Sequence, residues 1–492
     1  MNPLKKLLGQ TAIYGLSSIV GRLLNYLLVP LYTRYFTTSE YGDVTIMYAY
    51  AAFLLIILSY GIETAFFRFS QIEPNKRVVF STAFISLLFS SSFFVGLIYF
   101  NSQSIANALS FGQHPEYIQY FAFIIGLDTL SSIFFAKLRE NNQATRFALI
   151  RLLNIFINIG LNLLFIIYCP FAITNNLPTA DFIQGFYSPD FGIGYIFIAN
   201  LVATVVTFLM LLPEMSQFIW RFDKVLWRKM MVYALPLMVA GLAGITNETI
   251  DRILLQYLLP EDISASEIGL YSAFYKLSII MTLFVQTFRF AAEPFFFSQE
   301  KERNAKQVYA QIMKYFSIVT AFIFLSVMIY YDIVKQFIGS AFHDERGVVI
   351  VPILLLANLF LGLYYNLSVW YKLTEKTQYG AYMSMLGAAI TVIFNLALIP
   401  YLGFVGSAWA TLFCYFLMTV CSYSLGQKYY PIAYPLRRIS LYFSLMLGFY
   451  FLTIYLSLGM VVNTFFLIIY IVVVYVLEKP KKRVISNPQL FD

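Results

Sequence analysis

The sequence predicts an all-α polytopic membrane protein with fourteen transmembrane helices. They form two pseudo-symmetric six-helix lobes, followed by two further helices. Three observations predict it. The 492-residue chain is 60% hydrophobic and 12% charged, where a soluble domain carries about 25% charged residues. Apolar runs of about 20 residues, the length that crosses a bilayer, recur along the whole chain. Lys and Arg cluster in every second loop between those runs.

The runs fall at approximately 10–33, 44–66, 78–100, 117–136, 146–168, 193–213, 230–258, 267–292, 308–330, 350–371, 378–399, 405–425, 439–458 and 460–477. The first follows MNPLKK and reads as an uncleaved span, because it outruns a signal-peptide core and no small-residue cleavage site follows. The longest connection, 169–192, leaves no room for a soluble catalytic domain. Basic residues gather in the loops around Arg68–Arg77, Lys137–Arg146, Arg221–Lys229, Arg303–Lys306, Lys372–Lys376 and Lys428–Arg438. The alternate loops hold only Arg34, Lys335 and Arg346. By the positive-inside rule both termini lie in the cytoplasm. The net charge of +8 is therefore a topology signal, and no nucleic-acid partner is expected. Cys169, Cys414 and Cys421 have no metal or redox spacing. No Walker motif occurs, so neither ATP nor another cofactor is expected.

The chain also looks duplicated. TAIYGLSSIV (11–20) is echoed by MMVYALPLMV (230–239), and TRYFTTSEYGDVTIMYAY (33–50) more loosely by DRILLQYLLPEDISASEIGLYSAFYK (251–276). The echo aligns Tyr14 with Tyr233 and Gly42 with Gly269. Six spans separate the copies, so both point the same way, as in lobes related by an axis along the membrane normal. The expected organisation is an N-lobe at 1–213 with spans 1–6, a cytoplasmic linker at 214–229 and a C-lobe at 230–425 with spans 7–12. Spans 13 and 14 follow at 439–477, then a basic cytoplasmic tail at 478–492.

Polar residues inside the apolar runs mark the candidate site. Arg22 lies roughly 18 Å along span 1 from its cytoplasmic end, at ~1.5 Å per residue. A cation at such a depth costs about 2.5–3.5 kcal/mol on insertion scales. Thr11, Gly15, Ser18, Arg22, Asn25, Tyr26 and Thr33 share one helical face by their spacing, and that face should meet the other lobe or water. Span 7 carries NETIDR (247–252). Glu248 and Arg252 stand at i,i+4, the spacing of a structural helix pair, which leaves Asp251 needing a partner such as Lys276 of span 8. Pro30 and Pro236 can bend spans 1 and 7 at matching places. Asn154, Asn158 and Asn162 of span 5 read first as glue between helices. Asp128 of span 4 is either a proton or sodium site or a partner of Arg151. The many tyrosines belong mainly to packing and interfacial belts. The deepest cations, Arg22, Arg252 and Lys276, sit on repeat-related spans, and a cavity lined by them suits a phosphorylated substrate.

On GRLLNYLLVPLYTRYFTTSEYGD (21–43), GIETAFFRF (61–69), YALPLMVAGLAG and IDRILLQYLL (233–258) and IGLYSAFYKL (268–277), the chain resembles the polysaccharide-transporter branch of the MOP flippase superfamily. O-antigen and capsule repeat-unit flippases belong to that branch. The resemblance implies two six-helix lobes in a V, two added C-terminal helices and a place in the bacterial inner membrane. It implies transport of an undecaprenyl-diphosphate-linked oligosaccharide for surface polysaccharide, with membrane lipids around the protein and a repeat-unit polymerase as a candidate partner. In the related lipid II flippases a span-1 arginine lines the cavity, a role that falls on Arg22 here. Their further arginines in spans 1 and 2 have no clear match.

The expected substrate-binding residues are Arg22, Arg252, Lys276, Asn25 and Tyr26. Asp128 and Asp251 are candidates for coupling to H+ or Na+. Three other readings compete. A lipid II flippase would differ in substrate alone. A multidrug or cation antiporter would have twelve spans and an acidic cavity. A membrane polymerase, ligase or glycosyltransferase would need a large outer loop with catalytic residues, and 169–192 offers only Asp181 and Asp190.

Overall fold

The structure, a computed structural model, describes residues 20–300, 302–456 and 459–479. Among these residues every regular element is a helix. Thirteen helices are long and apolar enough to cross a membrane. Span 1 is the remaining one expected, and its residues 10–19 lie outside the described part, with Thr11, Gly15 and Ser18 of its stripe. The tail beyond Lys479 lies outside as well.

After a helical stretch at 20–26, the elements are α1 (Leu28–Tyr35), α2 (Thr38–Ile72), α3 (Lys76–Phe100), α4 (Pro115–Glu140), α5 (Ala144–Thr174), α6 (Gly194–Gln217) and α7 (Lys224–Leu258). Next come α8 (Glu261–Leu277), α9 (Ile279–Gln299), α10 (Ala305–Ile329), α11 (Gly347–Leu373), α12 (Gln378–Leu402), α13 (Phe404–Tyr429), α14 (Leu436–Leu456) and α15 (Met460–Glu478). Connection 169–192 folds into short turns of helix rather than an open loop.

Local chemistry sets the ends and breaks. Thr37 and Glu40 form a capping box that starts α2, satisfying donors that the first turn leaves free. Asn75 caps α3 and Asp223 caps α7 through the amide of Leu226, at 2.9 Å. α2 is interrupted at Tyr60 and Gly61, both left-handed, a conformation glycine adopts without a Cβ penalty. Span 1 breaks at Leu27. Pro30 explains the break, since it lacks an N–H and its ring crowds the carbonyl four residues back.

The matching break is not in span 7. α7 runs through Pro236 without a break in the helix. The break falls in span 8 at Ser278, where the chain leaves α8 and re-enters a helix as α9. Ser278 stabilises the step by donating from Oγ to the Tyr275 carbonyl at 2.7 Å.

The two halves meet at the end carrying Thr38 and Glu261. Gly42 of α2 and Gly269 of α8 pack backbone to backbone there. Thr38 and Ser266 share a hydroxyl hydrogen bond of 2.7 Å. The segment between α10 and α11 reaches across the same end. Phe337 stacks on Tyr26 with ring centres 4.3 Å apart, and the Gly339 amide donates to Thr33 Oγ1 at 3.0 Å. Buried apolar side chains from both halves form one continuous core that runs on into α14 and α15, while a second core gathers Ile62–Phe66, Val78–Leu87 and Leu130–Leu138 with the first turns of α7. At the opposite end the Arg68 guanidinium lies 4.4 Å from the Tyr233 ring centre.

Outward faces carry exposed Phe89, Phe93, Val232, Ile393 and Val472, as expected where lipid is the solvent. Charges collect at the helix ends. Glu140 takes Lys137 at 2.6 Å and Lys76 at 2.8 Å, and Arg146 meets Glu214 at 2.6 Å. α14 and α15 dock on α10 through Glu478, which bonds Lys314, Arg438 and Tyr442.

Candidate functional site

A cavity of about 370 Å³ lies between the halves. Arg22 reaches it from the helical stretch before Leu27. Thr45 and Tyr48 come from α2, Glu248 and Arg252 from α7, Lys276 from α8, Gln286 from α9 and Asn358 from α11. Both helix breaks, Leu27 and Ser278, lie close in sequence to its cations. The cavity brings together the three cations expected from repeat-related spans.

Each cation is held differently. Arg22 donates through Nη1 to Gln286 Oε1, a bond between the halves. Arg252 is buried, 8% exposed. It donates to Asp251 Oδ1 at 2.7 Å and to the Glu248 carbonyl at 2.6 Å, and its guanidinium lies 4.6 Å from the Tyr275 ring centre. Lys276 has no carboxylate within ion-pair distance among the described residues, and the charge closest to it in effect is Arg252. A half-buried ammonium without an acid strongly favours an arriving anion.

Two expected pairings are corrected. Asp251 is not the partner of Lys276. It bonds Arg252 and accepts from the Tyr271 hydroxyl at 2.6 Å. Glu248 offers Arg252 its backbone carbonyl rather than its carboxylate. The Glu248 side chain therefore faces the cavity, within electrostatic reach of Arg22, Arg252 and Arg289.

Asn25 is exposed and Tyr26 stacks on Phe337, and both fall outside the lining of this cavity. Asp128 lies inside the N-terminal half beside Arg151 and Thr204. The asparagines of α5 act between helices. Asn154 donates to Thr207 of α6 at 2.8 Å, and Asn162 accepts from Tyr32 of α1 at 3.0 Å.

Sequence reasoning missed Gln286, Thr282 and Asn358. Thr282 Oγ1 and Asn358 Oδ1 are buried without a hydrogen-bond partner and line the cavity. Unpaired buried acceptors call for an explanation, and a donor-bearing ligand supplies one. A signal was present: Thr282, Gln286, Arg289 and Glu293 recur at spacings of four and three, a polar stripe on one face of α9. The cavity offers charge and hydrogen bonds, with neither a nucleophile–base pair nor, among the described residues, a group of side chains able to hold a metal.

The fold is similar to that of the lipid II flippase MurJ in an inward closed conformation, with a TM-score of 0.73 and 13% identity, covering 94% of this chain and 98% of that one. It is also similar to a multidrug resistance MATE family transporter of the MOP superfamily. The inward-facing form gives a TM-score of 0.64 at 12% identity and the outward-facing form 0.58 at 13%, each covering 88% of this chain and 96% of that one. No curated protein matches by sequence. The shared fold and the thirteen membrane-length apolar helices among the described residues define a multi-pass membrane protein with the architecture of those transporters. A family model described as "Polysaccharide biosynthesis protein" matches residues 7–300, more than half the chain. The chain belongs to that family.

Proposed function

We propose that this protein is a flippase that carries a polyprenyl-diphosphate-linked oligosaccharide repeat unit from the inner to the outer leaflet of the bacterial inner membrane, for surface polysaccharide. One observation carries this reading: Arg22, Arg252 and Lys276, from both halves of the chain, line one cavity. A diphosphate brings negative charge that those groups can bind with charge-assisted hydrogen bonds. The sugars bring hydroxyls for Asn358, Thr282 and Gln286, and the polyprenyl tail stays in lipid.

Transport requires the halves to rock, so that the contacts at the Thr38 end and those at the Arg68 end, both present in this structure, are broken in turn. No bond in the substrate is made or broken. The lobes are 1–213 and 230–425, with both termini cytoplasmic, as the basic loops support. Asp128 and Asp251 are the acids through which H+ or Na+ would couple. Both already have partners, so coupling would act by exchanging Arg151 or Arg252. A repeat-unit polymerase would receive the product.

Lipid II is the second substrate reading, favoured by the fold likeness to the lipid II flippase. The deciding experiment deletes the gene and analyses which lipid-linked glycan accumulates on the cytoplasmic leaflet. A surface-polysaccharide repeat unit supports the first reading, and lipid II the second. If no glycan accumulates and dye efflux falls, both give way to an antiporter. Arg22→Ala should block export, and Arg22→Lys should impair it less. Full export by both variants would remove Arg22 from substrate binding.

A further inference from the structure

A second cavity, of about 300 Å³, lies inside the C-terminal half between α7, α9, α11, α12 and α13. It shares Glu248, Leu361, Tyr365 and Tyr415 with the cavity between the halves, so the two adjoin across one wall. It lacks Arg22, Arg252 and Lys276 of the first cavity, and its charged groups are Glu248, Arg289 and Lys372. Four tyrosines face it: Tyr364, Tyr365, Tyr371 and Tyr415. Asn247, Ser368 and Ser384 line it beside these rings. Tyr364 and Tyr371 touch only through a long 3.5 Å contact of their hydroxyls. Arg289 also lines it, its guanidinium 4.5 Å from the Tyr365 ring centre, with no carboxylate in ion-pair range among the described residues.

Ring faces beside amides and hydroxyls suit a sugar. The C–H faces of a pyranose stack on tyrosine, and its hydroxyls replace water at the polar groups. The volume is at the lower end of ligand pockets, which span ~300–1,000 Å³. We propose that this cavity is the sugar subsite: the diphosphate rests on Arg22, Arg252 and Lys276, and the sugar next to it enters among Tyr364, Tyr365, Tyr371 and Tyr415. The inference rests on the flippase reading and adds to it the place that selects the glycan.

Gly244 of α7 provides the test. It lines this cavity and not the first, and a Cβ added there meets no neighbouring side chain or helix within 4 Å. Gly244→Leu would fill the subsite without touching the cations, and leucine favours the helix over glycine. Ser384→Leu fills the cavity from α12 and serves if the first variant does not fold. Binding is measured on the full chain in nanodiscs. The probes are farnesyl diphosphate and farnesyl-diphosphate monosaccharides carrying glucose, galactose, N-acetylglucosamine or glucuronic acid.

The expected result is that at least one sugar tightens wild-type binding tenfold or more over farnesyl diphosphate. Either leucine variant should abolish that gain and leave farnesyl diphosphate unaffected. If farnesyl diphosphate binds and Arg22→Ala weakens it, yet no sugar adds affinity or the leucine variants keep the gain, the subsite is overturned and the flippase reading stands. If the wild type binds no probe, both fall.

Discussion

Gly42 and Gly269, aligned by the internal repeat, pack against each other where the halves meet. A Cβ on Gly42 would lie 1.8 Å from the Ala265 carbonyl oxygen, and one on Gly269 would lie 1.8 Å from the Thr38 carbonyl oxygen. Both obstacles are backbone, so neither can swing aside. Equivalent positions of two parallel copies meet only near the axis that relates them. The contact lies where such an axis would pass, about one turn of α2 from Thr45 of the cavity lining.

Gly42→Ala and Gly269→Ala should each force α2 and α8 apart. Overpacking of this kind costs about 1–3 kcal/mol. Thermal unfolding in detergent should show a lower Tm for each. The double variant should fall by less than the sum, because one displacement relieves both clashes. Additive losses would mean that the two glycines do not share one contact.

The cations should separate stability from transport. Arg252→Ala leaves Asp251, 4% exposed, with the Tyr271 hydroxyl and the residue-252 backbone amide but no counter-charge. Removing one member of a buried pair costs about 3–5 kcal/mol, so low expression and a lower Tm are expected. Lys276 has no acid to abandon, and its removal relieves repulsion from Arg252. Lys276→Gln should keep or raise Tm while glycan export falls. An equal loss of stability in both variants would show that Lys276 is structural.

How much of this was legible in the sequence depends on what each feature requires. The deep cations could be read because a charge in an apolar run is costly and needs a reason. Gly42 and Gly269 could be aligned because the repeat leaves its mark in order and spacing. The partner of Asp251 could not be read. Spacing places Glu248 and Arg252 on one helix face, but rotamers and the competing Tyr271 hydroxyl decide which acid takes the guanidinium. The Ser278 break was hidden for a related reason: no proline marks it, whereas Pro236 stands inside a continuous α7. The tyrosine-lined cavity is a void bounded by five helices far apart in sequence, and local pattern carries no trace of a void.

At the Thr38 end, acid should weaken one clamp. Arg346, between α10 and α11, bonds Asp344 through Nε at 2.9 Å and Nη2 at 2.8 Å, and both oxygens of Glu267 at 2.9 Å. These hydrogen bonds hold the Asp344 carboxyl below its ordinary range. A depressed carboxyl pKa stabilises the fold above the unfolded value, ~3.9, and that stabilisation disappears as pH falls through the folded value. The Arg346 side chain is 43% exposed, so screening limits the clamp to on the order of 1 kcal/mol. Arg346→Ala should lower Tm at pH 7, and its gap from wild type should narrow as pH drops below ~3.9. A gap that stays constant down to pH 2 would exclude the clamp as the cause.

Thr38 and Ser266 allow the rocking step itself to be tested. Their hydroxyl oxygens are 2.7 Å apart across the boundary between the halves, which brings the Cβ atoms near the ~3.5–4.5 Å separation of a disulfide. With Cys169, Cys414 and Cys421 replaced, Thr38→Cys with Ser266→Cys should cross-link on oxidation and tie this end shut. A transporter that opens at each end in turn must then stop, because the substrate cannot leave through a tied end. Glycan export should fall to the level of the deletion strain under oxidant and return on reduction, while each single cysteine variant exports normally in both conditions. The bond is too short to permit a partial opening, so the outcome has two values. Quantitative cross-linking with undiminished export would mean that this end never opens, and rocking that parts the Gly42–Gly269 contact would be excluded.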